Sequence, residues 1–180
     1  NLFPNAKPMN GASLVVPHGL RETVMLRHLG YRVPNPALCY YSWCGGKPFG
    51  VQRATVDLMT SNERAYVLNS PGTGKSKAAL WSWDYLYGQK LCGKMLVVAT
   101  LSTLNFVWAR ECFATIPHRT VKILHGTKKV RLERLAEDVD IYVINHDGFK
   151  TIQGELAERH DINVLCIDEL AVFRNNSERS

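Results

Sequence analysis

Four short segments that are apolar through their middles most constrain this chain's fold: Lys94–Thr100 (KMLVVAT), Val121–His125 (VKILH), Asp140–Asn145 (DIYVIN) and Asn163–Glu169 (NVLCIDE). A strand with no polar alternation has no face to offer water, so it must be covered on both sides. Stretches with helical spacing separate these segments, around Leu132–Ala136 and Phe149–Leu156 among others. The expected fold class is therefore α/β, a parallel sheet with helices on both faces. With 46% hydrophobic and 21% charged residues in 180, the chain has the material for one sizeable core, and disorder is not its default state.

A further apolar stretch, Ala65–Leu68, reads as a strand that runs into the loop NSPGTGKS and then a helix. Gly72 and Gly74 allow backbone turns that aim successive N–H groups inward, and the helix adds the positive end of its dipole. Lys75 can neutralise β- and γ-phosphate charge, and the Ser76 hydroxyl can hold Mg²⁺. The match to GxxxxGK(S/T) is incomplete, because Asn69 takes the place of the first glycine. The plain alternative is a glycine-rich turn with one solvated lysine.

Residues 1–47 differ from the rest in being rich in proline, glycine and aromatics, and read as an accessory segment and linker. Leu20, Val24 and Leu29 share a face of a short helix that Gly30 can terminate. Tyr40, Tyr41 and Trp43 either stack on a base or pack on the following domain. From Pro48 onward, Val51, Ala54, Thr55, Leu58 and Met59 mark one buried helical face. The helix after the loop is expected to bury Ala79, Trp83, Leu86 and Tyr87. In the next, Leu104, Val107, Trp108 and Cys112 form an apolar stripe, with Ser102 as cap.

The formal charge of +6 and a pI near 9.1 favour an acidic partner, without a polybasic run. Lys122, Lys128, Lys129, Arg131 and Arg134 are the densest basic stretch, a solvated helix face or a nucleic-acid contact. Cys39, Cys44, Cys92, Cys112 and Cys166 show no CxxC pair and read as reduced thiols of a cytoplasmic protein. No stretch approaches the roughly 18 apolar residues that span a bilayer, and no signal peptide is visible, so no membrane partner is expected. The chain opens on Asn1 rather than Met, and a natural start upstream of it is an expectation.

The last apolar segment ends in Asp168 and Glu169. In an open α/β sheet the carboxyl edge lines the ligand crevice, so these acids should face Lys75 although they lie about 90 residues later. Asp168 is suited to organise Mg²⁺, and Glu169 to orient or deprotonate the water that attacks the γ-phosphate. An acidic pair of this kind can also simply end a strand in solvent.

Several motifs in this order make Pro48–Ser177, within an expected domain of residues 48–180, resemble the superfamily 2 helicases and translocases, in the sucrose-nonfermenting, chromatin-remodeller-like branch. PFGVQRA (Pro48–Ala54) resembles the adenine-reading Q motif with Gln52 at its glutamine. NSPGTGKS resembles motif I, which adds Pro71 and Thr73 to Gly72, Gly74, Lys75 and Ser76 as nucleotide-binding residues. LVVATLSTLNFVWARE (Leu96–Glu111) is similar to motif Ia, with Trp108 and Glu111 in place. ILHGTKKVR (Ile123–Arg131) and DIYVINHDGF (Asp140–Phe149) resemble the family's HG element and its DVVITTYE strand. CIDELAVFRNNS (Cys166–Ser177) resembles DEAHRLKNxxS, with Asp168, Glu169 and Asn175 retained, Arg174 in place of the lysine and Ser177 near the serine position.

The resemblance implies the first RecA-like lobe of a P-loop NTPase, truncated after motif II, that binds ATP and Mg²⁺. Glu169 and Lys75 would be catalytic, and Ser76 and Asp168 would hold the metal. The partner would be nucleic acid, with the branch favouring double-stranded DNA, contacted by the Thr100–Thr103 loop with Ser102 and by Asn145 and His146. Ser102 can equally be a helix cap, and His125 and His146 can be loop histidines with local hydrogen bonds. In the family a second lobe supplies arginine fingers and half the DNA track, so this chain alone is expected to turn over little or no ATP. A phage or bacterial source fits the compact spacing, with a nuclear location if the source is eukaryotic. Thr100 replaces the motif Ia proline, and Ala171 stands where the family has the histidine that couples ATP state to nucleic acid. A non-catalytic module that uses nucleotide occupancy to control a DNA or protein contact is the alternative.

Overall fold

The computed structural model describes residues 2–11 and 13–169, without the side chains of residues 105 and 106. An exposed antiparallel pair, β1 (Lys7–Met9) and β2 (Ser13–Val15), precedes helix α1 (Leu20–His28). Asn35 caps α2 (Pro36–Tyr40) by accepting from the Ala37 N–H, with Pro36 in the first helical position where it has no donor to lose. Helices α3 (Gly50–Ser61) and α4 (Lys75–Gly88) bracket the glycine-bearing loop. Then β3 (Lys94–Ala99) leads into a helical run, α5 (Leu101–Thr103), a π turn at Leu104–Trp108, and α6 (Ala109–Thr115). The chain continues through β4 (Val121–Leu124), α7 (Lys128–Leu135), β5 (Ile141–Asn145), α8 (His146–Thr151), α9 (Gln153–Ala157) and β6 (Ile162–Ile167).

Among the described residues β3 to β6 form a four-stranded, all-parallel sheet in the order β4-β5-β3-β6. The molecule is α/β, as the uninterrupted apolar segments require. Successive side chains on a strand point to opposite faces, and the two cores follow that period. Met95, Val97 and Ala99 of β3 join Ile141 and Val143 of β5 beneath Trp81, Trp83 and Trp108. Leu96 and Val98 join Tyr142 and Ile144 under Leu135, Ile152 and Leu156 on the other face. Parallel pairing puts the carboxyl ends of all four strands at one edge.

Several expected elements differ. Ala65–Leu68 is not a strand; it carries no regular structure, with Tyr66 75% and Leu68 92% exposed. The neighbouring β6 is the sheet's edge, and its burial alternates, leaving Leu165 54% exposed. Of the four strands, those flanked on both sides are the most buried, β5 throughout and β3 from Met95 onward. In α3 the buried residues are Gln52, Thr55, Val56 and Thr60, whereas Val51 and Leu58 face solvent. Hydrogen bonds set that rotation: Asn35 donates to the Thr60 hydroxyl and Asn69 to the Thr55 hydroxyl. In α4 every residue from Ala78 to Tyr85 is buried, because the aromatic segment before α3 covers the side that the sheet does not.

Tyr41 and Trp43 pack edge-on against Tyr85 and Trp81, and the Tyr41 hydroxyl donates to the buried Asp84 at 2.6 Å. Burial and that carboxylate raise the Tyr41 pKa well above its ordinary value. Tyr40 stays exposed, hydrogen-bonded to His18. The accessory residues are thus packed on α4, with Ala37 fully buried in its core. Leu29 of the α1 region is exposed, and Thr23 is its buried residue. Among the described residues no helix is long and apolar enough to cross a membrane.

Candidate functional site

The loop between α3 and α4 turns through two left-handed glycines, Gly72 at φ +78° and Gly74 at φ +74°. Gly74 occupies the N-cap position of the 14-residue α4, and no side chain caps that helix. Its first N–H groups are therefore left to bind an anion, and the helix dipole favours one. A Cβ on Gly74 would lie 2.2 Å from Nε2 of Gln52, so the loop is seated directly on the Gln52 amide. The other end of that amide, Oε1, accepts from the Phe49 N–H at 2.9 Å.

Lys75 folds back on the loop and donates to the Asn69 and Ser70 carbonyls at 2.8 and 3.1 Å. A phosphate in the loop would compete with two neutral acceptors for that ammonium, and a charge-assisted bond is the stronger. Asn69, the departure from the glycine pattern, has a task that sequence reasoning missed: its Nδ2 donates to Thr55 at 2.9 Å and ties the loop's start to α3.

Asp168 continues β6, its N–H bonded to the Val98 carbonyl at 2.8 Å. Trp108, 1% exposed, donates its indole N–H to Asp168 Oδ2 at 2.9 Å. Glu169 is exposed and stands at φ +60°, a backbone conformation that non-glycine residues rarely hold. Lys75, Ser76, Asp168 and Glu169 all line one groove of about 690 Å³, together with Asn69, Pro71 and the stretch Ala65–Leu68. The sheet's carboxyl edge brings the two halves of the chain together there.

Hard oxygen donors, the Ser76 hydroxyl and the Asp168 carboxylate, suit Mg²⁺. Among the described residues no group of three or more His, Cys, Asp or Glu side chains could hold a metal alone.

Other candidates fall differently. Ser102 is exposed but caps nothing; the helix starts at Leu101 with Thr100 at the N-cap, and the Thr100 hydroxyl meets those of Ser102 and Thr103 at 3.2 and 3.0 Å. Asn145 and His146 are 7% and 8% exposed. Asn145 Oδ1 accepts from Arg131, which also donates to the Gly126 and Leu124 carbonyls. Arg131 is therefore a buried clasp between two edge loops rather than part of a solvated face; burial lowers its pKa against the opposing effect of Asp147. Arg134 caps the Ile123 and His125 carbonyls, and Lys122 and Lys128 pair with Glu137 and Glu155.

All five cysteines are free thiols, and burial, with Glu111 nearby, pushes Cys112 up to about 12. Ala171, Arg174, Asn175 and Ser177 lie outside the described residues. Neither a model of any known protein family nor any curated protein matches this chain.

Proposed function

We propose that the chain is the ATP-binding lobe of a DNA-dependent ATPase, a helicase or double-stranded DNA translocase that couples hydrolysis to movement on nucleic acid. The observation that carries this reading is the convergence of Lys75, Ser76, Asp168 and Glu169 on one groove at the carboxyl edge of a parallel sheet. The loop's N–H groups and Lys75 would bind the phosphates, Gln52, whose amide backs the loop at Gly74, would read the adenine, and Ser76 and Asp168 would hold the metal. Bound Mg²⁺ supplies neutralisation of the phosphate charge. Glu169 orients the attacking water and accepts its proton. Among the described residues no arginine lines the groove, and an arginine finger, a contribution of roughly 10³ to 10⁵ in rate, would come from a second lobe.

Equilibrium binding of a fluorescent ATP analogue with Mg²⁺ tests the site. Weak saturable binding, lost in Lys75→Ala, is expected; no binding, or binding indifferent to Lys75→Ala, would overturn it. ATP turnover in the lobe joined to its second lobe should rise with duplex DNA and vanish in Glu169→Gln. Binding without DNA-stimulated turnover would leave the nucleotide-dependent binding module in its place.

A further inference from the structure

The resemblance gives Trp108 a place in a motif but no task at the metal. Three observations supply one. The indole N–H donates to Asp168 Oδ2 at 2.9 Å, so one of the two carboxylate oxygens is engaged by protein and the other is left for a ligand. The backbone of the same residue is tied to β3 through the Val98 carbonyl, and β3 runs directly into the helix that carries Trp108. Asp168 is therefore gripped at backbone and side chain by one continuous piece of chain.

The third observation is the π turn at Leu104–Trp108, which ends on the indole. Such a turn inserts one residue into an α-helix and rotates everything after it by roughly 100° about the axis. Val107, which α-helical spacing places in the apolar stripe, is 43% exposed, while Leu104, Trp108 and Cys112 are buried. A π turn costs hydrogen-bond geometry, and here it coincides with the aim of a buried donor at a carboxylate in the groove. Packing alone would be served by any large apolar side chain.

We propose that Trp108 is a positioning residue for the metal-binding carboxylate: its indole N–H fixes the Asp168 side chain through Oδ2 and leaves the other oxygen for a metal in the groove that Ser76 also lines. This rests on the nucleotide-binding reading of the site. Partners that orient a metal's ligands typically contribute about 10- to 100-fold in metal affinity or activity.

Trp108→Phe keeps most of the buried ring and removes the donor. The Mg²⁺ concentration for half-maximal binding of a fluorescent ATP analogue should rise roughly 10-fold or more, while binding without metal stays unchanged. A metal dependence within twofold of the parent overturns the proposal. So does an equal loss with and without metal, which is the mark of general loosening. A second measurement does not depend on that variant folding. In a nitrogen–proton NMR spectrum of the chain, the indole resonance of Trp108, assigned through its own side-chain correlations, should move in Asp168→Ala while those of Trp81 and Trp83, bonded to the Cys44 and Gly93 carbonyls, stay in place. An unmoved Trp108 resonance removes the hydrogen bond and the proposal with it. A parent chain that binds no nucleotide at any metal concentration ends the nucleotide-binding reading itself, whereas nucleotide binding with an unmoved resonance ends only the role of Trp108.

Discussion

At the scale of single residues, the loop is governed by what Gly74 lacks. Its φ of +74° costs any other L-residue about 1–2 kcal/mol, and a Cβ would also displace the Gln52 amide that backs the loop. Gly74→Ala is expected to lose about that much stability in urea unfolding and to weaken binding of the ATP analogue more than the stability loss explains. An unchanged affinity would mean that the loop does not cradle phosphate. The need for glycine here is readable from the GKS pattern. The role of Asn69 is not, because its partner Thr55 lies on another element and only the fold sets them 2.9 Å apart.

Among elements, the attachment of α1 and α2 to α3 turns on Asp57. Its carboxylate receives Arg27 at 2.7 Å, Asn35 at 2.8 Å and Ser61 at 3.2 Å. Burial alone would raise the Asp57 pKa, but these donors together hold it below the ordinary 3.8. A depressed folded-state value means stability that is fully present above 3.8 and lost as pH falls toward the folded value. Asp57→Asn should therefore cost about 1–2 kcal/mol in urea unfolding at pH 7, and the gap from the parent should shrink as the pH falls below 4. A gap that stays constant across that range would show that the charge is not what fastens α1 to α3. Apolar spacing located α3 but mistook its buried side, since Val51 and Leu58 mark a face that the tertiary hydrogen bonds turn outward.

For the molecule as a whole, protection from solvent should follow the order of the sheet. Val97 and Val143 sit in the doubly flanked strands and should exchange their amide protons only on global unfolding; Tyr66–Leu68, outside any ladder, should exchange within the fastest class. Slow exchange at Tyr66–Leu68 would indicate that this stretch pairs with β6 in solution. By itself the sequence determined the α/β class, four strands to within a residue or two, and the placing of Lys75 and Asp168 along one groove. Those depend on local apolar content and on a topological rule that parallel sheets obey wherever they form. Tertiary structure alone decided that Ala65–Leu68 stays out of the ladder, that Arg131 is a buried clasp, and that Trp108 bonds Asp168. Each of these depends on which donor finds which acceptor across elements distant in the chain, and no periodicity along one segment encodes that.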